Sequence, residues 1–278
     1  MRGPGSYQEL TELLRSRLPR LAGGQRRIAH LLLADPEGTA FRGISEAAQV
    51  AEVHESSIAR FANSLGLSGY PALMELCRAW LAEQAQLARR SENGQGPPGG
   101  LLSATLDQEQ TDLSRTYGRL DVGAWLRAAG LLTEAAAVRV IGVRDCAPIA
   151  DLFALRLSRV RAGVRRLGAS VVDELREFTA GDVLVAVSVR RYAAETVRVA
   201  EYARDEGLSV VALTDNVVSP LTELADTALF AETGGVGGTR SLTACLSLAQ
   251  ALAVEIGLRL GKPRSDEIPP DFGFFHES

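Results

Sequence analysis

The stretch "AVSVRRYAAETVRVAEYARDEG" (186–207) joins an apolar run to an amphipathic one through Arg190, Arg191 and Tyr192. A loop at such a strand-to-helix junction holds an anion when its backbone N–H groups converge on it. Arginines there add planar, permanently charged forks that grip phosphate or carboxylate through paired hydrogen bonds. A second stretch, "ESSIAR" (55–60), sets two hydroxyls and Arg60 at the start of another amphipathic run. Arginine reads guanine with two parallel bonds, while serines and a helix N-terminus serve phosphates or base edges. A third stretch, "GGVGGTRSLTA" (234–244), carries Thr239, Arg240 and Ser241 behind a run of glycines. Either its N–H groups and Ser241 face an anion at a helix N-terminus, or it is a flexible connection.

The elements that must position these residues divide the chain. Residues 1–88 read as short amphipathic helices. "YQELTELLRSRL" aligns Leu10, Leu13, Leu14 and Leu18, and "GQRRIAHLLLAD" aligns Ile28, Leu31 and Leu32 before Asp35-Pro36 stops it. "ISEAAQVAEV" and "ESSIARFANSLG" follow, Ser45 being placed to cap the first of them. "YPALMELCRAWLAEQAQLARR" closes the set, with Pro71 in its first turn. "RRSENGQGPPGG" (89–100) has linker composition, and bridging helices are expected over 101–136. From 137 to 262 apolar runs alternate with amphipathic helices: "VRVIGV", helix 147–161, "GVRRL", helix 173–179, "DVLVAVSV", helix 193–206, "LSVVALT", helix 219–225, "TALFA" and a long helix 238–260. That alternation predicts right-handed βαβ crossovers and a five-stranded parallel sheet covered on both faces. Residues 1–6 and the tail from 262 onward are expected to order only on a partner, Phe272, Phe274 and Phe275 being aromatics suited to docking.

Composition excludes several classes. The 278 residues carry 46% hydrophobic and 23% charged side chains, as a soluble globular protein does. Cys77, Cys146 and Cys245 are too scattered for a disulfide framework or a zinc site, which suits a reducing cytoplasm. Cys146 either lines a pocket or is a buried structural thiol. No secretory leader is expected, since no apolar run follows the first basic residue, and no apolar stretch has membrane-spanning length. Residues 1–90 hold 11 Lys+Arg against 9 Asp+Glu, within a chain of net charge −4. The N-terminal half is therefore slightly basic and the remainder acidic, a balance that permits DNA binding in the first half.

"ISEAAQVAEVHESSIARFANSLGLSGYPAL" has helix-turn-helix spacing: a small-residue helix, a four-residue turn, and a second helix turning Ile58, Phe61 and Leu65 inward. A plain helical bundle would share that periodicity. In detail the stretch resembles the N-terminal domain of RpiR-type bacterial transcription regulators, through Val53, Ser56, Ser57, Ile58, Arg60, Phe61, Leu65, Gly66, Leu67, Gly69 and Tyr70. The positions expected to face DNA are His54, Glu55, Ser56, Ser57 and Arg60, with Ser68 and Tyr70 of the following turn. His54 stands where that pattern has a helix-capping serine, and Glu52 where its turn often has glycine. A left-handed backbone at Glu52 would be strained.

The resemblance implies a sugar-isomerase (SIS) domain after the linker, of flavodoxin-like fold, and dimerisation. "VIGVRDCAPIA", "DVLVAVSVRRYAAETVRVAEYA" and "VVALTDNVVSPLTELAD" carry it. In a 2-1-3-4-5 sheet, ligands bind outside the carboxyl ends of the first and third strands. The expected ligand set is Arg144, Cys146, Ser188, Arg190, Arg191, Tyr192, Glu195, Thr214, Asp215 and Ser241. In the family's second loop, S-x-S-G-x-[ST] followed by Glu, only Ser188 and Glu195 match. Arg190 stands for the second Ser, Arg191 for Gly and Ala193 for the last hydroxyl. Arg144 and Cys146 likewise stand where Gly and Ser are common. The three arginines either bind an anion or pair with Glu174, Glu195 or Asp215. An apolar stripe on the last helix (Ala244, Leu248, Ala251, Leu252, Ile256) serves a subunit contact or packs on its own sheet.

The expectation is a cytoplasmic transcription regulator that binds a double-stranded DNA operator, senses a small anionic metabolite such as a phosphosugar or sugar acid, and forms a homodimer or homotetramer. It has no membrane partner, no cofactor, no metal site and no catalytic residue. The alternatives are an SIS-type sugar-phosphate isomerase with Glu195 as base, and a constitutive DNA binder with a vestigial pocket.

Overall fold

The computed structural model describes residues 3–21, 23–92, 100–168, 171–236 and 239–261. Of the expected linker, residues 89–92 and 100 are helical, and 93–99 lie outside these residues, as does the tail with its phenylalanines. The chain divides into two compact units.

The helical unit contains α1 (Tyr7–Arg17), α2 (Gly23–Ala34), α3 (Pro36–Phe41), α4 (Ile44–Val50), α5 (Glu55–Ser64) and α6 (Tyr70–Glu92). Leu10, Leu14, Ile28, Leu32, Leu33, Ile58, Phe61 and Leu73 make its core. Fully burying each such side chain contributes about 1.5–3 kcal/mol. Helix α3 was not expected from its Pro-Glu-Gly composition. It forms because Asp35 caps it, accepting from the Gly38 N–H at 2.8 Å, while Arg42 bonds the other carboxylate oxygen at 2.9 Å. Ser45 does not cap α4. The cap is Gly43, and the Ser45 hydroxyl instead donates to Glu55 at 2.5 Å.

The four-residue turn between α4 and α5 holds Glu52 at φ 52°, the left-handed backbone expected there. The Arg27 fork on α2 braces the turn, bonding the Ala51 and Glu52 carbonyls at 2.9 Å each. Charge-assisted bonds of this kind offset a left-handed residue's cost of about 1–2 kcal/mol. Helix α5 ends on Gly66 at φ 83°, with Leu67 N–H reaching Ala62 O and Gly66 N–H reaching Asn63 O. That is a Schellman stop, and it requires glycine's freedom at this point.

Helices α7 (Gly100–Gly118) and α8 (Val122–Glu134) lead into the α/β unit, where Asp121 caps α8. Its elements are β1 (Val138–Ile141), α9 (Ala147–Ser158), β2 (Val164–Arg166), α10 (Val171–Leu175), β3 (Val183–Val187), α11 (Ala194–Asp205), β4 (Ser209–Thr214), α12 (Pro220–Leu224), β5 (Thr227–Phe230) and α13 (Thr243–Arg259). The described strands form a five-stranded parallel sheet in the order β2-β1-β3-β4-β5. Every residue of β3 is buried. Val183, Val185 and Val187 enter the layer of α8, α9 and α13, while Leu184 and Ala186 enter that of α11 and α12. The period-two alternation of a strand thus feeds two apolar layers.

Helix α13 starts at Thr243, five residues later than expected. The preceding chain is glycine-rich, and the Ser241 N–H closes back on the Gly234 carbonyl at 2.6 Å. The stripe expected to serve a subunit contact is largely interior: Ala244, Leu248, Leu252 and Ile256 are buried in their own unit. Val254 and Leu258, one turn apart, are the exposed apolar residues of that helix.

Candidate functional site

The first site lies at the N-terminus of α5. His54 adopts the extended backbone of a cap, but its side chain caps nothing. The first-turn N–H groups have no side-chain cap, since a histidine in this place supplies no short acceptor, and that of Ser57 bonds the His54 carbonyl at 2.8 Å. Glu55, Ser56 and Arg60 are exposed and Ser57 half-exposed; the Arg60 guanidinium rests against the Ser57 hydroxyl at 3.4 Å. Ser68 is exposed in the turn before α6. Tyr70 departs from its expected role: it is buried, and its hydroxyl donates to the Arg42 carbonyl at 2.9 Å. Burial raises its pKa. It fixes α6 against the chain ahead of α4 rather than facing DNA.

The second site lies at the carboxyl edge of the sheet. Helix α9 leaves β1 into one apolar layer and α11 leaves β3 into the other. Because β1 and β3 are neighbours, their following loops part there and leave a crevice. Both loops carry a left-handed arginine, Arg144 at φ 55° after β1 and Arg191 at φ 66° after β3. Each stands where the resemblance expected glycine. The backbone shape of a glycine loop is kept, and a cation is mounted on it. Arg144 and Arg191 are exposed and Arg190 half-buried.

Several of the other expected ligand residues hold the loop itself. The buried Ser188 accepts the Ala193 N–H at 3.1 Å, and Thr214 donates to the Ser188 carbonyl at 2.7 Å. Asp215, 7% exposed, accepts the Arg190 backbone N–H at 3.1 Å and the Thr233 hydroxyl at 3.4 Å, both on Oδ2. Its Oδ1 is buried without a hydrogen-bond partner among the described residues. The Tyr192 hydroxyl lies beside Asp215 and Ser219 in a geometry that completes no bond; burial, then the Asp215 charge, push its pKa up. Cys146 is buried in the apolar layer with Val189; burial raises its pKa, so it is no reactive thiolate. Glu195 is exposed in the first turn of α11. Ser241 lies in the loop ahead of α13, half-buried.

Two supporting residues escaped sequence reasoning. Cys245, in the first turn of α13, is fully buried in the apolar layer that also holds Cys146, and burial raises its pKa. Thr233 follows β5 and reaches Asp215 through space alone. No group of three or more His, Cys, Asp or Glu among the described residues is placed to hold a metal. No described helix is long and apolar enough to cross a membrane.

A family model described as "Helix-turn-helix domain, rpiR family" matches residues 8–83, and one for the SIS domain matches 131–255. The chain belongs to the RpiR family. It is a transcription regulator with a DNA-binding helix-turn-helix domain and an SIS domain. It is 28% identical to the HTH-type transcriptional regulator HexR of Pseudomonas aeruginosa, over 74% of this chain and 73% of that protein. The sugar isomerase domain of an RpiR transcription factor from Sphaerobacter thermophilus superposes with a TM-score of 0.55 at 28% identity, covering 58% of this chain and 92% of that one. The Vibrio vulnificus NanR protein, complexed with ManNAc-6P, superposes at 0.54 with 20% identity over 90% of each chain, a likeness of fold.

A left-handed arginine has a measurable cost. The Arg144 side chain makes no hydrogen bond or ion pair with another described residue. Replacing a left-handed residue by glycine relieves about 1–2 kcal/mol of strain and loses about 0.5–1 kcal/mol to unfolded-state entropy. Arg144→Gly should therefore stabilise the α/β unit by about 0.5–1 kcal/mol in denaturant unfolding. Destabilisation would show that the guanidinium contributes more than its backbone costs.

Proposed function

We propose that this regulator senses a small anionic metabolite, a phosphosugar or sugar acid, at the carboxyl edge of its sheet, and that occupancy sets its affinity for operator DNA. The observation that carries the reading is the pair of left-handed arginines, Arg144 and Arg191, at the ends of two neighbouring parallel strands. Strained non-glycine residues persist where surrounding structure holds them, and they cluster at ligand sites. Arg190, half-buried in the same loop, adds a third cation. NanR, of the same fold, is complexed with ManNAc-6P; in this chain arginine side chains replace much of the neutral cradle of small residues.

Regulation rather than isomerisation is the role that fits. Glu195, the base an isomerase would need, is exposed in the first turn of α11, and a general base needs hydrogen-bond reach of its proton in a site shielded from water. The constitutive reading has less support, because a vestigial pocket gives no reason to keep two strained left-handed arginines at neighbouring strand ends. Two-fold dimers read paired half-sites, so subunit geometry controls operator affinity. The outward Val254 and Leu258 on α13 offer a face for that contact. An effector that prefers one dimer geometry would shift operator binding by about 1–3 kcal/mol. Such a regulator works in the cytoplasm, where its operator is.

Two measurements test this reading. In a thermal-shift panel of phosphosugars and sugar acids, at least one compound should raise the melting temperature of the wild type and none that of Arg190→Ala/Arg191→Ala. An equal shift in both would remove the loop from the site. For the DNA half, Arg60→Ala should weaken binding to a selected operator by about 1–3 kcal/mol and relax its sequence preference. Unchanged affinity and preference in fluorescence anisotropy would take Arg60 out of the reading set.

A further inference from the structure

The Ser45 hydroxyl does not serve the backbone of α4, whose cap is Gly43; it donates to Glu55 Oε1 at 2.5 Å. Ser45 is the second residue of α4 and Glu55 the first of α5, so the bond joins the starts of the two helices of the helix-turn-helix. Both residues are exposed, and Glu55 Oε2 takes no hydrogen bond among the described residues.

In this motif the first helix crosses the DNA backbone, and the opening residues of the second meet base edges in the major groove. Phosphates surround that place with negative charge, and an ionised carboxylate accepts hydrogen bonds and donates none. A carboxylate there needs a donor from the DNA. Cytosine is the base whose major-groove edge offers a donor alone: adenine sets its N7 acceptor beside N6, and guanine and thymine present acceptors. An acid in the first turn also suits the helix dipole. That role requires neither the Ser45 bond nor any particular base.

We propose, on the reading of α5 as the helix that meets the bases, that Glu55 is a specificity-determining residue that accepts the N4 amino group of an operator cytosine. Ser45 is its positioning residue. Tying one carboxylate oxygen to α4 restricts the side chain before DNA arrives, so less freedom is lost on contact. The second oxygen, Oε2, is left for the base.

The test is selection of operators from a random duplex library by full-length wild type, Glu55→Gln, Ser45→Ala and Arg60→Ala. Each protein is then titrated, by fluorescence anisotropy, with the wild-type operator and its single-base-pair variants. Wild type should favour cytosine about fivefold or more at one pair of the half-site. Glutamine keeps the size and an acceptor for Ser45, and its amide matches adenine N6 and N7. Glu55→Gln should therefore lose the cytosine preference and move toward adenine at that pair alone, its unchanged choices elsewhere showing that the variant is folded. Ser45→Ala should still favour cytosine, with the ratio reduced about twofold or more. An unchanged preference in Glu55→Gln, while Arg60→Ala alters its own, would overturn the role of Glu55 and leave α5 as the reading helix. A change at a pair where wild type does not select cytosine would overturn the cytosine assignment, and full discrimination by Ser45→Ala would overturn the positioning role. Unchanged selection by all three variants, or no selection by wild type, would overturn the reading of α5 as well.

Discussion

Parallel pairing of β1 with β3, with their following helices sent to opposite faces, is the constraint from which the rest of the α/β unit follows. Strands buried on both faces need apolar side chains at every position, and β3 is buried throughout. A helix covering each face must leave its strand in its own direction, so α9 and α11 part where β1 and β3 end. Backbone N–H groups that would pair within an element are left to find partners at that point. Ser188 and Asp215 accept such N–H groups in the loop after β3, and the Thr214 hydroxyl donates to the Ser188 carbonyl. The crevice is therefore a product of topology first and of its lining residues second.

The same loops show how a family scaffold is re-chemicalised without changing its backbone. Glycine at a left-handed position costs little, whereas arginine there is strained, yet Arg144 and Arg191 keep φ values of 55° and 66°. The helix-turn-helix turn repeats the device: Glu52 is left-handed and Arg27 braces it from α2. In each case the surrounding hydrogen bonds determine the backbone, and the side chain is free to differ.

Much of this was readable from residues. Continuous apolar runs separated by amphipathic ones foretold the parallel sheet, because burial on both faces removes the period-two pattern. The inward set Ile58, Phe61 and Leu65 of the second helix was equally legible from its spacing, and all three are buried in the helical unit's core. Other features depended on contacts distant in sequence. Tyr70 matches the family pattern for a packing reason, its hydroxyl meeting a carbonyl 28 positions away. Thr233 meets Asp215, and Cys245 joins the layer that holds Cys146, only once β5 and α13 are in place. Helix α3 was hidden because a six-residue helix holding proline and glycine has little propensity of its own and leans on Asp35, Arg42 and Arg78, which bonds the Ala40 carbonyl at 2.7 Å.

The central claim is that an anion at the arginine loops changes how tightly the protein holds its operator. Its most direct test is a titration of operator DNA against the wild type and Arg190→Ala/Arg191→Ala, each with and without the anion that most stabilises the wild type. The account predicts that the anion shifts wild-type operator affinity about 5- to 150-fold and leaves the double variant unmoved at the same basal affinity. An equal shift in both proteins, or none in the wild type with the anion bound, would contradict it.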